Sequence, residues 1–288
     1  MLENFNEIMK NHTTFRTGGP AKRFVKVESV QDIIDIITES EKNNEALYVL
    51  GNGSNVLISD KGIDGTVLYI GEEMSRIRVK GGHIYAEAGA LLSKVARTAL
   101  DNGLSGLEFA AGIPGSVGGG AFMNAGAYGG ELKDVIEFCD CVVDGQLVRI
   151  PCENMDFSYR HSIAAEKNMV ITGVSFSLTK GTKEEIEATM KDFNQRRRDK
   201  QPLEFPSAGS TFKRPQGYFA GKLSEDSGLR GYRVGGASVS TKHCGFVVND
   251  KEATSADIYK LIQDVSDIVY EKFEVRLEPE VRLLGDFN

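Results

Sequence analysis

A concentration of glycine in one segment constrains this chain more than any other feature of its sequence. Ten of the 32 glycines fall between Gly103 and Gly130, with apolar residues such as Leu107, Phe109 and Ile113 among them. Glycine weakens regular elements but lets the backbone approach a ligand and turn its N–H groups towards it. A flexible linker would lack such apolar anchors. The segment is therefore predicted to be a backbone cradle for a phosphate-bearing cofactor, with a mobile, solvated loop as the alternative.

A second glycine-rich loop has the sequence GNGSN at residues 51–55, between two apolar segments. It opens no helix with a G-x-G-x-x-G pattern, so it is not a Rossmann fingerprint. The later Gly217 to Lys222 segment has one residue too few between its glycines to be a Walker loop. Combined with the cradle at residues 112–120, GNGSN predicts one diphosphate-containing ligand held from two sides by backbone N–H groups.

Bulk composition indicates a globular protein and excludes several classes of function. The chain has 288 residues, 41% of them hydrophobic and 26% charged, which is enough for two or three cores. A net charge of −7 argues against a general nucleic-acid binder. No apolar run approaches the roughly 18 residues of a membrane span, and the N-terminus lacks a secretory signal. We therefore expect a cytoplasmic protein with no nucleic-acid, membrane or obligate protein partner.

Cysteine usage gives no sign of a metal or redox centre. The four cysteines are Cys139, Cys141, Cys152 and Cys244, and none of them forms a C-x-x-C pair. A zinc site or a thioredoxin-like motif is therefore not expected. All four are predicted to be buried free thiols, and no metal ligand is predicted anywhere in the chain.

The pattern of apolar residues predicts short strands and amphipathic helices. Strands are expected at residues 24–27, 46–50, 56–58, 84–88, 170–178 and 275–284. Helices are expected after the capping pair Ser29 and Asp32, at residues 91–101, at 184–198, and from Ser255. Asp144-Gly145 is a hairpin signal. We expect the terminal strand to return to an earlier domain, because a lone strand needs a partner.

Three short polar segments carry side chains suited to chemistry. Arg160 lies in SYRHS at residues 158–162, and Ser210 lies in SAGSTFKRP at residues 207–215. Residues 277–285 contain Glu280 and Arg282, which would point to one side of a strand. Taken singly, these segments could equally be a solvated turn, a plain loop and a surface ion pair of little energetic value.

Together with the glycine loops, these segments resemble the UDP-N-acetylenolpyruvoylglucosamine reductase (MurB) family. The matching motifs are NHTTFRTGG at 11–19, LGNGSNVL at 50–57, GIPGSVGG at 112–119, Tyr159-Arg160, AGSTFK at 208–213 and Glu280-Val281-Arg282. They occur in the family's order and span nearly the whole chain. A tyrosine-rich loop of one subtype has no clear counterpart here, so the chain resembles the shorter subtype.

The resemblance implies an α+β fold with three domains. An FAD-binding fold of the vanillyl-alcohol-oxidase (PCMH) type would comprise two subdomains, residues 1–72 and 73–200. A C-terminal α+β domain at residues 201–274 would bind substrate. The last strand, within residues 275–288, would return to the first subdomain or to the one beside it.

The family's functional residues fall on matching positions. The resemblance implies a catalytic set of Arg160, Ser210 and Glu280. The FAD-binding residues it implies are Gly51, Asn52, Gly53, Ser54, Asn55, Gly112, Ile113, Gly115, Ser116 and Gly118. Candidates for substrate binding are Lys200, Arg214 and Arg282. Arg214 stands where the family often has an asparagine that contacts substrate. Lys200 ends a basic run after Arg196, which could instead complement a helix dipole.

The implied function is reduction of UDP-N-acetylglucosamine enolpyruvate by NADPH through FAD, a step of peptidoglycan precursor synthesis. Hydride addition beside the carboxylate creates negative charge, which Arg160 and a protonated Glu280 would stabilise while Ser210 donates a proton. Two other interpretations remain. One is an FAD-linked oxidase of the same fold, which a covalent flavin would favour, although the available histidines, His12, His161 and His243, lie outside the glycine loops. A non-catalytic nucleotide-sugar binding module would be colourless.

Overall fold

A computed structural model describes residues 1–167 and 169–287. In chain order the strands are β1 (Leu2–Ile8), β2 (Pro20–Lys26), β3 (Leu47–Leu50), β4 (Val56–Ile58), β5 (Ile63–Tyr69), β6 (Ile77–Lys80), β7 (His83–Glu87), β8 (Leu104–Ser105), β9 (Gly126–Ala127), β10 (Gly130–Glu131), β11 (Ile136–Val143), β12 (Gln146–Pro151), β13 (Met169–Ser177), β14 (Thr179–Lys180), β15 (Arg233–Val234), β16 (Ala237–Val239), β17 (Val247–Asn249) and β18 (Arg282–Leu284). The α-helices are α1 (Val30–Asn43), α2 (Leu92–Asp101), α3 (Val117–Phe122), α4 (Lys183–Lys200), α5 (Ala220–Asp226) and α6 (Ser255–Phe273).

The internal contacts divide the chain into two compact units. The first comprises Met1–Asn4, Arg23–Asn52 and Gly65–Arg197, and the second comprises Phe5–Lys22, Gly53–Asp64 and Arg198–Asn288. The three domains expected from the sequence stay a prediction, since this division by contacts yields two units.

Helix α1 of the first unit begins and packs as its sequence predicts. Ser29 is its N-cap, and the Ser29 hydroxyl accepts a hydrogen bond from the Asp32 N–H. The buried face of α1 carries Ile33, Ile36 and Ile37, which pack in one apolar cluster with residues of β2 and β5. The sheet beneath has the order β1-β2-β5-β3, in which β3 and β5 are parallel.

A larger antiparallel sheet forms the centre of the first unit. Its strand order is β12-β11-β13-β7-β6. Asp144 and Gly145 both have positive φ between β11 and β12, as the hairpin signal predicts. Helix α2 buries Leu92, Val95 and Ala99 against this sheet in the largest apolar cluster. These interactions provide the base from which the glycine-rich segment emerges.

The second unit is built around α6. Its first turn has a capping box, in which the Thr254 hydroxyl accepts from the Asp257 N–H while the Asp257 carboxylate accepts from the Thr254 N–H. The apolar face of α6 contributes Ile258, Leu261 and Val265 to a cluster with residues of the antiparallel sheet β15-β16-β17. The sequence therefore predicted both the start and the buried face of this helix.

The terminal strand is shorter than predicted. Only β18 is a strand within the predicted range 275–284, and it pairs in parallel with β4, with Arg282 beside Val56. Pro279 has no N–H to donate to a ladder. Leu277 and Val281 are buried in the second apolar cluster, so their spacing reflects core packing rather than a continuous strand. The strand does pair with an earlier segment of the chain, whereas its expected return to an earlier domain stays a prediction.

The cysteines are free thiols. Cys139, Cys141 and Cys244 are buried, whereas Cys152 is partly exposed. Burial raises the pKa of the Cys141 thiol to about 12, which keeps it protonated at neutral pH. The prediction of buried free thiols is therefore confirmed for three of the four.

Candidate active site

The first glycine loop carries a run of backbone donors that the protein itself does not use. Between β3 and β4, the N–H groups of residues 51–55 make no hydrogen bond to any described residue. Gly53 is buried, has a φ of +59°, and a Cβ there would lie 1.9 Å from the His12 carbonyl oxygen. Its own carbonyl accepts from the Thr14 N–H at 3.0 Å. Buried N–H groups are almost always paired, so the unpaired N–H of buried Gly53 points to a ligand.

The second glycine loop presents further donors at the start of α3. Within the described chain, the N–H groups of Gly115 and Ser116 also make no hydrogen bond, and Ser116 is buried. Two neighbouring donors are used internally, because Ile113 N–H donates to Ala110 and Gly118 N–H to the Ala88 carbonyl. Any contact that Ile113 or Gly118 makes with a cofactor must therefore use other atoms.

Contacts within the first unit join the start of the first glycine loop, at Gly51 and Asn52, to the second loop. The Asn52 side-chain amide donates to the Pro114 carbonyl oxygen, across 62 residues of sequence. A Cβ on Gly51 would lie 2.3 Å from the Ser116 Oγ. The unpaired N–H groups of Gly51, Asn52, Gly115 and Ser116 all lie in the first unit, and they suit a diphosphate, whose oxygens accept several hydrogen bonds. The residues present therefore fit the diphosphate of a dinucleotide such as FAD.

A cation that the sequence analysis did not select lies beside the second loop. The place of a Cβ on Gly112 is 3.1 Å from the Cδ of Arg197. Burial lowers the pKa of the Arg197 guanidinium, and no acidic side chain in the described chain pairs with it. The basic run that pointed to Lys200 could have identified Arg197, had the packing of α4 been known. Arg197 is therefore a further candidate for binding a cofactor anion.

Arg160 lies on a tight turn of the first unit. Ser158 and His161 exchange two backbone hydrogen bonds of 3.2 Å around it, and Arg160 itself has a φ of +56°. Its guanidinium donates to the Gly126 carbonyl at 3.3 Å and lies over the Tyr159 ring. The side chain is partly exposed. This geometry holds a cation at a partly exposed position of the first unit.

Ser210 and Glu280 are brought together in the second unit. The Glu280 N–H donates to the carbonyl of Thr211, next to Ser210, at 2.8 Å. The Asn55 side-chain amide donates to the Glu280 carbonyl at 3.0 Å, which ties Glu280 to the end of the first glycine loop. Ser210 is exposed and Glu280 is partly buried. Arg160 belongs to the other unit, so the convergence of all three side chains stays a prediction.

The three predicted substrate-binding cations all lie at exposed positions. Lys200 ends α4. Arg214 packs over the Phe219 ring at 4.0 Å and donates to the Tyr218 carbonyl. Arg282 begins β18. Its residue as a whole is exposed, but partial burial of the guanidinium lowers the pKa of that group. Their roles stay predictions.

One titratable side chain supports the loop that carries Ser210. The Nδ1 of His243 accepts from the Gly245 N–H at 3.0 Å, and the Gly245 carbonyl accepts from the Thr211 N–H at 2.9 Å. Burial lowers the pKa of His243 below its ordinary 6.5. A protonated Nδ1 could not accept this hydrogen bond.

The stability of the protein should therefore depend on the charge of His243. Because the folded pKa lies below the unfolded one, this contribution is present above about pH 6.5 and is lost as the pH falls through the folded value. As the pH is lowered from about 7.5 to about 5.5, we expect the thermal midpoint of wild type to fall by more than that of His243→Asn. Asparagine keeps a hydrogen-bond acceptor at this position but does not titrate. Parallel pH profiles of the two proteins would contradict this role.

The described residues 1–167 and 169–287 contain no group of three or more His, Cys, Asp or Glu side chains placed to hold a metal ion. None of the described helices combines the length and the apolar character that crossing a bilayer requires.

Known protein families match both the part of the chain that contains the glycine loops and most of the second unit. The family described as "FAD binding domain" matches residues 21–150. The family described as "UDP-N-acetylenolpyruvoylglucosamine reductase, C-terminal domain" matches residues 201–284. A UDP-N-acetylenolpyruvoylglucosamine reductase of Agathobacter rectalis is 50% identical over 98% of this chain and 94% of its own. One from Clostridium novyi is 49% identical over 98% and 92%.

A solved structure extends the likeness to the fold. The crystal structure of UDP-N-acetylenolpyruvylglucosamine reductase (MurB) from Thermus caldophilus superposes with a TM-score of 0.85 and 34% sequence identity, covering 97% of this chain and 98% of that one. The predicted α+β fold with an FAD-binding domain is thereby confirmed. Half of the residues are shared with a relative along almost its entire length, and the chain therefore belongs to the UDP-N-acetylenolpyruvoylglucosamine reductase family.

Proposed function

We propose that this chain reduces UDP-N-acetylglucosamine enolpyruvate to UDP-N-acetylmuramate, with FAD as its bound cofactor and NADPH as the reductant. The observation that carries the proposal is the pair of adjoining glycine loops with unpaired backbone donors, in a chain that belongs to the reductase family. The product feeds peptidoglycan precursor synthesis. The proposed location is the cytoplasm, where NADPH and nucleotide-activated sugars are found.

The glycine loops would hold the cofactor. Residues 51–55 and the N–H groups of Gly115 and Ser116 would bind the diphosphate of FAD, with Arg197 offering a positive charge beside Gly112. When bound, FAD supplies a carrier that takes up hydride from NADPH and delivers it to the enolpyruvyl alkene. All other steps below are performed by side chains of this chain.

Arg160 would orient and stabilise the substrate carboxylate. Its planar guanidinium can offer two parallel N–H donors to a carboxylate. When hydride reaches the methylene carbon of the alkene, negative charge develops on the adjacent carbon and spreads into that carboxylate. A cation already fixed in position stabilises this charge without reorganising during the reaction. The turn at residues 158–161 is suited to that role because it fixes the backbone of Arg160.

Ser210 and Glu280 would complete the reduction. The Ser210 hydroxyl would give its proton to the carbon next to the carboxylate, which is basic at that moment. Glu280 can assist the developing anion only when protonated, which requires burial or a nearby anion to raise its pKa. The backbone hydrogen bond from Glu280 to Thr211, the residue after Ser210, supports the joint action of Ser210 and Glu280. Lys200, Arg214 and Arg282 would bind the nucleotide and diphosphate of the substrate.

The test of this function is an anaerobic titration of the purified protein. We expect a yellow protein whose flavin absorbance is bleached by NADPH and restored by one equivalent of the enolpyruvyl substrate, whose product gains two hydrogens. A colourless protein would favour the nucleotide-sugar binding module instead. A flavin that stays attached after denaturation, and is bleached by an alcohol or amine, would favour the oxidase.

The net charge of −7 repels an anionic substrate, so salt would lower KM by screening unless a local cation attracts the substrate. If Lys200 attracts the diphosphate, raising NaCl from about 50 mM to about 500 mM should increase the KM for substrate several-fold. In Lys200→Ala, KM should be higher at low salt and vary less. Lys251→Ala, an exposed lysine in a turn without predicted site residues, is the control. An unchanged salt response in Lys200→Ala would assign Lys200 to the helix terminus alone.

A further inference from the structure

A buried asparagine lies behind the turn that carries Arg160. Asn124 follows α3, is 0% exposed and has a φ of +43°. Its side-chain Nδ2 donates to the Glu131 carboxylate at 3.0 Å and to the Ser158 carbonyl at 2.9 Å. Its Oδ1 accepts from the Lys133 N–H at 3.0 Å. The amide thus uses both of its protons and its oxygen to join three separate segments.

One of these bonds fixes the backbone of the arginine turn. The Ser158 carbonyl that accepts from Asn124 also accepts from the His161 N–H, so it closes the turn around Arg160. A second anchor comes from Ser162, whose hydroxyl donates to the Phe122 carbonyl at 2.7 Å. The left-handed conformation of Arg160 is unfavourable for a side chain of its size. Such conformations persist where the surroundings impose them, and the bonds from Asn124 and Ser162 are the side-chain anchors of this turn.

A second bond fixes the carbonyl that receives the guanidinium. Strands β9 and β10 pair Gly126 with Glu131, and the Gly126 carbonyl accepts from Arg160. Because Asn124 holds the Glu131 carboxylate, it also holds the strand pair on which Gly126 lies. The hydrogen bond from Lys133 lowers the pKa of Glu131, with help from Asn124 and from the charges of Lys133 and Arg160. An anion is thereby kept near the arginine at neutral pH.

We infer that Asn124 is the positioning residue of Arg160, holding both the backbone turn of the arginine and the carbonyl that receives its guanidinium. This inference rests on the proposed function, in which Arg160 binds the substrate carboxylate. An aspartate could not replace the asparagine, because it would lose both donors and face the Glu131 carboxylate. The Ser158 carbonyl would also lose its side-chain partner.

The test compares Asn124→Gly with Asn44→Gly. Glycine tolerates positive φ, so Asn124→Gly removes the amide without adding strain. Asn44 ends α1 with a φ of +51° and is exposed, so Asn44→Gly makes the same exchange away from the turn. We expect Asn124→Gly to lower kcat/KM for the enolpyruvyl substrate by about 10²-fold, as misplacement by about 1 Å can do. Flavin reduction by NADPH should be unchanged, and Asn44→Gly should match wild type in both.

Non-additivity distinguishes positioning from general damage. In Arg160→Ala protein, the rate of substrate reduction is measured as single-turnover reoxidation of the reduced flavin. Adding Asn124→Gly to that variant should lower this rate by less than about 3-fold. Hydrogen exchange at the Ser158 and His161 amides should be faster in Asn124→Gly but not in Asn44→Gly. Equal losses in both backgrounds, or unchanged exchange, would overturn the inference. Should Asn124→Gly fail to fold, Asn124→Ser compared with Asn44→Ser gives the same comparison, because serine keeps one donor and adds no charge beside Glu131. If wild type itself does not reduce the substrate, the proposed function fails instead.

Discussion

Replacing Ser210 with alanine should lower the rate of substrate reduction by at least about 10²–10³-fold, the loss typical of a removed hydrogen-bond donor in a transition state. The structure makes this a clean change, because Ser210 is exposed and its loop is held by backbone bonds of Thr211. NADPH should still bleach the flavin at the wild-type rate, since that half-reaction needs no proton from Ser210. Stopped-flow spectroscopy of the two half-reactions separates them.

Ser207→Ala is the matched control for this experiment. It removes a hydroxyl from the same loop, three positions earlier in the sequence. We expect it to retain both half-reactions and the thermal midpoint of wild type. Near-normal turnover in Ser210→Ala, with flavin reduction intact, would remove Ser210 from the mechanism and require another proton source.

Replacing Gly53 with alanine should yield a protein that no longer retains flavin. A Cβ at this position would lie 1.9 Å from the backbone carbonyl of His12, and the residue has a φ of +59°. The backbone itself has to move, because a carbonyl cannot rotate away as a side chain can. That movement displaces the unpaired N–H groups of residues 51–55 together. We expect a largely colourless preparation and a thermal midpoint several degrees lower, since alanine at positive φ already costs about 1 kcal/mol or more.

Gly228→Ala separates the two causes. Gly228 also has a positive φ, +79°, but a Cβ there would meet no atom within 4 Å. This variant should lose only the stability that alanine at positive φ costs, and it should purify as a yellow protein. FAD retention is read from the ratio of absorbance at flavin and protein wavelengths. If Gly53→Ala binds flavin as tightly as Gly228→Ala, the first loop is not part of the cofactor site.

Local signals in the sequence predicted the elements that depend on local physics. The Ser29–Asp32 pair predicted where α1 begins, and the periodicity after Ser255 predicted the buried face of α6. The terminal strand was predicted too long, because its apolar spacing matched alternation although Leu277 and Val281 serve the core. Pattern alone cannot separate these cases, since burial of alternate residues does not require a ladder.

The site was predictable in its residue types but not in its contacts. Glycine-rich composition predicted both loops from the sequence alone. The bond from Asn52 to Pro114 joins residues 62 positions apart, and the bond from Asn55 to Glu280 joins residues 225 apart. Asn124 gave no signal of its own, because a single asparagine among glycines is typical of turns. Such pairings depend on how the elements pack, which the local sequence does not encode.

Two backbone hydrogen bonds hold position 280. The Glu280 N–H donates to the Thr211 carbonyl, and the Glu280 carbonyl accepts from the Asn55 side-chain amide. Every amino acid except proline retains both groups. Glutamine, aspartate or alanine at this position would therefore keep both backbone bonds while changing or removing the carboxyl group, which lets the chemical role of the side chain be measured with these two bonds in place.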